Sequence, residues 1–329
     1  MLKKILGGLF GQALGDAWAM PAMLRPEITW ERYGGWITEF KPGPADHPVH
    51  HGLHAGQITD DTEQAFSLAK EFIKDGKVTP EGVARGVINW YAMIDGDNSP
   101  YVGPSTRKAV TAIKAGKPLE ETGKNGDTNG AAMRVSPVGL IHPGDLEGAV
   151  RDAHLSCIPT HNTDVAISGA CAVAGAIAVA MVEGSTLDEI IAAGMKAADM
   201  GRKFGYTWLG ASVSRRIEMA VEIVKRDMSE VDRLQELYDV IGCTLAIPDS
   251  VGSAFGILAM ADGDPKQCAI YAAQASGDAD TVAAMACAIA GAWKGVGAFE
   301  QDIIETLLKA NPDYDFYGVA EGLLKLAEA

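Results

Sequence analysis

The fold of this chain is decided by its longest uncharged stretch, which reads VAISGACAVAGAIAVAMV from Val165 to Val182. Eighteen residues are near the lower limit for a helix that spans a membrane. The stretch is built largely from Ala and Gly, however, and its flanks are the acidic residues Asp164 and Glu183 rather than Lys or Arg. A helix that is apolar on every side and made of small residues predicts a buried core element of an all-α protein.

Helical spacing of apolar residues recurs along the rest of the chain, whereas strand-like alternation is scarce. Short turns rich in Gly, Asp and Pro separate these segments, so we predict an all-α fold built from many helices. No linker interrupts the 329 residues, and we expect a single domain over 1–329. Besides a first helix that includes Ile5 and Leu14, helices are predicted near 62–74, 80–94, 104–115, 165–183, 186–200, 210–226, 230–242, 250–261, 265–275, 281–294, 301–309 and 316–328.

Charge and cysteine content limit the partners and the compartment. The formal net charge is −15, and such a surface repels nucleic acids and anionic membranes, so we expect neither as a partner. The five cysteines are odd in number and form no CxxC motif, which predicts buried thiols in a reducing, cytoplasmic environment. The N-terminus resembles a weak signal peptide, but Gln12 and several glycines interrupt its apolar run. The oligomeric state stays open.

Two distant motifs carry paired acidic residues before a helix. The first contains Asp60 and Asp61, and the second contains Asp278 and Asp280. Each pair has two interpretations, because carboxylates cap helix N-termini and also bind cations. As a cap, Asp60 would form a capping box with Glu63. As ligands, the hard oxygens of both motifs favour Mg²⁺ or Mn²⁺ over zinc, and four carboxylates suffice for two divalent ions.

The motifs and their order along the chain resemble the ADP-ribosylglycohydrolase family. The similarity runs from about residue 5 to residue 297, and its order and length make a chance match very improbable. Five segments carry it: Gly11, Gly15 and Asp16 match the opening helix, Thr59–Thr62 looks like the TDDT signature, Asn129–Gly139 is similar to NGxxMRxxPxG, Thr160–His161 matches a TH pair, and Ser276–Thr281 looks like GGDTDT.

This resemblance implies a compact, orthogonal all-α bundle with a dinuclear magnesium centre, in which Mn²⁺ is also possible. It implies hydrolysis of the bond between ribose C1″ and an amino-acid side chain or related leaving group, with the metals binding ribose hydroxyls and polarising water. Asp60 and Asp61 are the expected catalytic residues, although no general acid is evident. The implied metal ligands are Thr59, Asp60, Asp61, Asp278, Asp280 and Thr281. The implied substrate-binding residues are Tyr101, Gly103, Asn129, Gly130, Met133, Arg134 and His161.

Two departures from the family pattern bear on the substrate. Met23 stands where family members often carry a glutamate, although Glu27 follows one turn later, and Tyr101 replaces the aspartate of an FDIG-like segment. Both missing acids lie near the substrate in the family, so specificity for arginine-linked ADP-ribose is weakened. Two alternatives to an ADP-ribosyl hydrolase stay open. One is a nucleosidase-like enzyme for a small nucleoside, and the other is a non-catalytic module that binds ADP-ribose.

Three further features have open interpretations. The irregular stretch 34–58 contains four histidines, His47, His50, His51 and His54, which we interpret as surface or substrate-rim residues because no zinc motif is present. His161 either caps a helix or contacts substrate. Arg134 either meets a phosphate or pairs with one of the many carboxylates.

Overall fold

The computed structural model describes residues 1–329 and contains α-helices without any β-strand, which confirms the predicted all-α class. Two isolated β-bridges, Thr128 with Ala246 and Thr163 with Tyr206, tie loops together. The helices are α1 (Leu2–Ala19), α2 (Pro26–Tyr33), α3 (Asp60–Asp75), α4 (Pro80–Met93), α5 (Pro104–Lys114), α6 (Leu119–Thr122), α7 (Ser136–Leu140), α8 (Leu146–Cys157), α9 (Asp164–Ala180), α10 (Leu187–Gly201), α11 (Val213–Val224), α12 (Glu230–Glu236), α13 (Ile247–Met260), α14 (Pro265–Ala275), α15 (Ala279–Lys294), α16 (Gln301–Ala310) and α17 (Phe316–Ala327).

The uncharged stretch forms α9, and nearly all of its residues are buried. Carbonyl groups at and just after its C-terminus accept hydrogen bonds from a lysine of α1. Lys4 Nζ donates to the carbonyl oxygens of Ala180, at 2.7 Å, and of Val182, at 3.2 Å. The positive charge of Lys4 also interacts favourably with the negative, C-terminal end of the helix dipole. No helix in the structure has the length and apolar character needed to cross a membrane.

Helices α1 and α15 pack in direct backbone contact at the centre of the protein. A Cβ atom at Gly11 would overlap the carbonyl group of Cys287, and one at Gly15 would overlap that of Ala283. Glycine is required at these α1 positions because any side chain would push the helices apart. This close packing brings the C-terminal end of α1 beside the N-terminal end of α15.

Four helices were not predicted: α2, α6, α7 and α8. Three of them are only four to eight residues long, too short for a periodic signal to develop. Helix α8 is longer, and its start is marked by Asp145, whose side chain accepts a hydrogen bond from Gly148 N–H. The predicted helix over 230–242 is α-helical only to Glu236 and continues as a π-helical turn over Leu237–Ile241.

The irregular stretch 34–58 contains no helix, as predicted. It is held against the segment that follows α1 by two buried histidines. His47 Nε2 lies 3.0 Å from the carbonyl oxygen of Ala22, and His50 Nδ1 lies 2.9 Å from that of Met20. The side chains of these two histidines therefore belong to the interior, whereas His51 and His54 are exposed.

Candidate active site

Three buried aspartates from three helices meet where α1 ends and where α3 and α15 begin. Carboxylate oxygens of Asp16, Asp61 and Asp280 lie within 4.8 Å of one another. Asp16 belongs to α1, Asp61 to the first turn of α3, and Asp280 to the first turn of α15. Because unpaired charges are costly to bury, such a cluster requires a compensating positive charge or bound protons.

Asp16 organises the N-terminus of α3 from outside that helix. Its carboxylate accepts hydrogen bonds from the backbone N–H groups of Thr59, at 3.0 Å, and Thr62, at 3.2 Å. It also accepts from the hydroxyl groups of Thr59, at 2.7 Å, and Thr62, at 2.6 Å. The N-terminal N–H groups of a helix are usually hydrogen-bonded by a capping side chain next to them in sequence. In α3 that acceptor is instead a carboxylate of α1.

The capping interpretation of the first acidic pair is therefore wrong. The residue at the N-cap of α3 is Thr59 rather than Asp60, and its side chain makes no capping bond. Glu63 forms no capping box, since it accepts a hydrogen bond from Trp90 Nε1 at 2.9 Å. Asp60 and Asp61 are consequently free of a capping role.

The second acidic pair is positioned by partners from other parts of the chain. Asp278 occupies the N-cap of α15 without making a side-chain cap bond, and its Oδ2 accepts a hydrogen bond of 2.5 Å from Asn129 Nδ2. Asp280 Oδ2 lies 3.1 Å from His50 Nε2. Capping therefore does not account for the second pair either, and the Asn129 segment and the 34–58 loop both reach the carboxylates.

The pKa values of the cluster reflect burial and mutual repulsion. Burial, reinforced by the charge of Asp280, raises the pKa of Asp16 and of Asp278 to about 7. The same causes raise the pKa of Asp60 and Asp61 well above the ordinary value. Burial also acts on Asp280, but the charge and hydrogen bond of His50 outweigh it and lower the pKa of Asp280. The side chains of the site thus leave most of the negative charge uncompensated.

The donor set of the cluster fits a hard divalent cation. Asp61 Oδ1 is buried and has no hydrogen-bond partner, an arrangement that is costly unless another group satisfies that oxygen. The first turns of α3 and α15 offer carboxylate and hydroxyl oxygens, and oxygen ligands favour Mg²⁺ or Mn²⁺. Thr59 donates its hydroxyl hydrogen to Asp16, which leaves its oxygen lone pairs available.

A cavity of about 480 Å³ opens next to the cluster, a volume in the range of small-molecule sites. Most of the residues predicted from the sequence line it, but four do not. The predicted residues that line the cavity are Asp60, Tyr101, Gly103, Asn129, Gly130, Met133, Asp278, Asp280 and Thr281. Thr59 and Asp61 are buried beneath it.

Arg134 and His161 are the other two predicted residues outside the lining, and neither side chain is placed to contact a substrate in the cavity. The Arg134 side chain is 1% exposed and donates to Gln64 Oε1 at 2.7 Å and to Thr160 Oγ1 at 2.5 Å. The imidazole of His161 is also buried, 2.8 Å from Thr160 Oγ1 and 3.1 Å from Thr128 Oγ1. Arg134 therefore neither faces the cavity nor forms an ion pair with a carboxylate, and both side chains support the cavity wall from behind.

Asp16 and His50 are two site residues that are not among those predicted from the sequence. Asp16 was noted only as part of the opening helix, and its type alone does not distinguish a buried carboxylate from a surface one. His50 was interpreted as a surface or rim residue, yet it is buried and lines the cavity. A weak signal for His50 was available, since histidines were concentrated in an irregular stretch long enough to be functional.

Comparisons with known proteins agree with this geometry. The sequence profile of the ADP-ribosylglycohydrolase family matches residues 1–329. An uncharacterized protein of Escherichia coli (strain K12), YegU, is 36% identical over 325 residues, which cover 98% of this chain and 97% of YegU. The ADP-ribosylhydrolase ARH3 of Bos taurus is 26% identical over 332 residues, covering 90% of this chain and 86% of that protein. A solved structure described as an ADP-ribosylglycohydrolase-related protein complex has the same fold, with a TM-score of 0.71 at 22% identity, and the match covers 99% of this chain and 98% of that one.

Proposed function

This chain belongs to the ADP-ribosylglycohydrolase family of glycosidic-bond hydrolases, and on that premise we propose that it hydrolyses a ribosyl N-glycosidic bond of an ADP-ribosyl-type substrate. The observation that carries the proposal is the buried Asp16–Asp61–Asp280 cluster at the base of the cavity. A cluster of this kind gives a divalent cation a binding site in contact with bound substrate.

We assign Thr59, Asp60, Asp61, Asp278, Asp280 and Thr281 as the residues that hold Mg²⁺, with two ions as the expected number and Mn²⁺ as a substitute. Asp61 supports the assignment through its unpartnered Oδ1, and Thr59 through the lone pairs that its hydrogen bond to Asp16 leaves free. Bound there, the cations supply positive charge and Lewis acidity for ribose hydroxyl groups and for water.

The protein's own side chains then orient the reactants. Asp60 lines the cavity, and its carboxylate makes one side-chain hydrogen bond, from Gln64 Nε2 at 3.3 Å. Its other oxygen is therefore available to orient water and accept a proton during attack on C1″, where the transition state resembles an oxocarbenium ion. Asp61 is buried beneath the cavity, so we assign it to cation binding and not to proton transfer.

The substrate is enclosed by residues from two loops. Tyr101 and Gly103 come from the segment before α5, and Asn129, Gly130 and Met133 come from the segment before α7. Asn129 links these walls to the acidic cluster, because its amide also holds Asp278. Holding sugar and water in a fixed geometry reduces the entropic cost of bringing them together.

The test is to incubate the purified protein with Mg²⁺ or Mn²⁺ and a panel of ADP-ribosylated peptides, ADP-ribose derivatives and nucleosides. We expect metal-dependent release of a ribosyl product, its loss in EDTA, and a decrease of about 10²–10³-fold in kcat for Asp280→Asn. Asp188→Asn, an exposed change on α10, is the matched control and should keep full activity. Turnover that persists in EDTA and in Asp280→Asn would contradict the proposal.

A nucleosidase-like activity on a small nucleoside is the second candidate. It is favoured by one specific observation, namely that no Lys or Arg lines the cavity. Phosphate groups are usually bound by such side chains, by backbone N–H groups or by cations, and side chains of the first kind are missing from the lining. Turnover of nucleosides in the same panel, without turnover of ADP-ribosyl compounds, would select this candidate.

A further inference from the structure

The acidic and histidine side chains that line the cavity are confined to one region of it. They are Asp60, Asp278 and Asp280 of the acidic motifs, together with the histidines His47 and His50. Because the three carboxylates face the proposed cation site, their charge is already engaged when cations are bound. The rest of the lining contains no acidic or basic side chain that is free to pair with a charged group of the substrate.

The remaining lining includes five apolar and aromatic side chains, which together we call the apolar subsite. It consists of Leu24, Val49, Tyr101, Tyr238 and Leu245. Leu24 is 52% exposed and Leu245 is 49% exposed, so this apolar surface is open to an incoming molecule. Tyr238 also fixes the subsite, since its hydroxyl donates to the carbonyl oxygen of Leu24 at 3.0 Å.

No carboxylate reaches the apolar subsite from the segment after α1. Met23 is buried, with its N–H donating to Thr29 Oγ1 at 2.9 Å and its carbonyl oxygen accepting from Gly277 N–H at 3.3 Å. Glu27 does not line the cavity and pairs instead with Arg25, at 3.2 Å, on the surface. Glu27 therefore does not compensate for the glutamate that Met23 replaces.

Tyr101 gives the subsite an aromatic face in place of a charge. Its ring is nearly parallel to that of His50, with centroids 6.1 Å apart and an angle of 15° between the planes. Of the carboxylates nearest Tyr101, Asp60 is assigned to the cations, and Glu63 lies outside the lining and accepts a hydrogen bond from Trp90. A guanidinium group here would therefore lose water without a free carboxylate to pair with, which is unfavourable. A flat, uncharged ring would replace water on apolar and aromatic surface, which is favourable.

We propose that the leaving group of this enzyme is an uncharged, planar aromatic nitrogen heterocycle that occupies the apolar subsite, rather than the guanidinium of arginine. The proposal rests on the proposed function. In the reaction, water forms a bond to C1″, the bond from C1″ to the ring nitrogen breaks with its electron pair passing to the heterocycle, and a proton from water ends on that nitrogen. An aromatic ring spreads the negative charge that develops on the departing nitrogen, so bond breaking needs less help from an acid than it would with an alkyl amine.

The test compares two substrates that share α-ADP-ribose and differ only in the leaving group, benzimidazole or arginine. Ratios of kcat/KM are measured for the wild type, for Tyr101→Asp, and for the control Leu209→Asp, whose side chain is 89% exposed and outside the cavity. Intrinsic reactivity of the substrates cancels when ratios are compared between proteins. We expect Tyr101→Asp to shift the ratio towards arginine by about tenfold or more, and Leu209→Asp to leave it unchanged.

Calorimetric binding of free benzimidazole and of free arginine provides a readout that does not depend on turnover. We expect benzimidazole to bind the wild type more tightly than arginine does, and Tyr101→Asp to reverse the order. If neither substrate is hydrolysed but benzimidazole still binds more tightly than arginine, the proposed hydrolase function is contradicted. The preference of the apolar subsite for an aromatic heterocycle is then still supported. Equal or tighter binding of arginine to the wild type, or an unchanged ratio in Tyr101→Asp, would overturn the inference while leaving the hydrolase function intact.

Discussion

Asp16 and Thr59, 43 residues apart in sequence, are joined by hydrogen bonds from both the amide and the hydroxyl of Thr59 to one carboxylate. The pair connects the end of α1 to the start of α3 and fixes the direction in which the neighbouring aspartates point. Because Asp16 also lies against Asp280, a single side chain links the two acidic motifs that the sequence separates by more than 200 residues.

Asp16→Ala should weaken both the fold and the proposed cation site. Removing the carboxylate leaves the buried N–H groups of Thr59 and Thr62 without an acceptor, so we expect the free energy of unfolding to fall by about 1–3 kcal/mol. The Mg²⁺ affinity should fall by about 10–100-fold, as for other groups that orient ligands. Denaturant unfolding and calorimetry measure the two effects. An unchanged Mg²⁺ affinity would show that Asp16 does not organise the site.

Asp61→Asn should stabilise the protein without metal and remove its response to Mg²⁺. The change neutralises a buried carboxylate that has an unpartnered oxygen and acidic neighbours. We therefore expect the unfolding temperature in EDTA to rise and the increase produced by Mg²⁺ to disappear, with Asp188→Asn as the control. A lower unfolding temperature in EDTA, or an intact response to Mg²⁺, would argue against a cation at Asp61.

Stabilisation by Mg²⁺ should grow as pH rises from about 5 to about 8. The folded-state pKa of Asp16 and Asp278 is about 7, above the value of about 3.9 expected in the unfolded chain. Without cations, the folded state therefore binds more protons between these values and loses stability as pH rises. Mg²⁺ competes with those protons and removes the repulsion. Unfolding temperatures with Mg²⁺ and with EDTA across this range check the trend, which a pH-independent difference would refute.

Gly11→Ala should destabilise the contact between α1 and α15. The added methyl group meets the carbonyl of Cys287 and must displace one helix, at a cost of about 1–3 kcal/mol. Gly297→Ala is the matched control, because a Cβ there would meet no atom within 4 Å. Denaturant unfolding compares them. Equal stability of the two variants would mean that the helices separate without cost.

The sequence determined the elements whose physical cause is local. The uncharged Ala-rich stretch became α9, and most predicted helices lie within a few residues of the observed ones, because helical periodicity is set by neighbours along the chain. The acidic motifs were recognised for the same reason, since both are short and contiguous. The short helices α2 and α7 were missed because they are too brief to show a period.

Only the tertiary structure decided how the acidic motifs are used. Locally, Asp60 is compatible with a helix cap, the commoner use of such a residue, or with a cation ligand. The choice depends on Asp16, which accepts hydrogen bonds from the N-terminal amides of α3 although it belongs to another helix. The same holds for His50, for which the sequence predicts a surface or substrate-rim position and which lines the cavity while being buried against Asp280. It also holds for Arg134, which does not line the cavity. Burial and charge compensation are sums over groups that are distant in sequence, so they are determined only once the helices have packed.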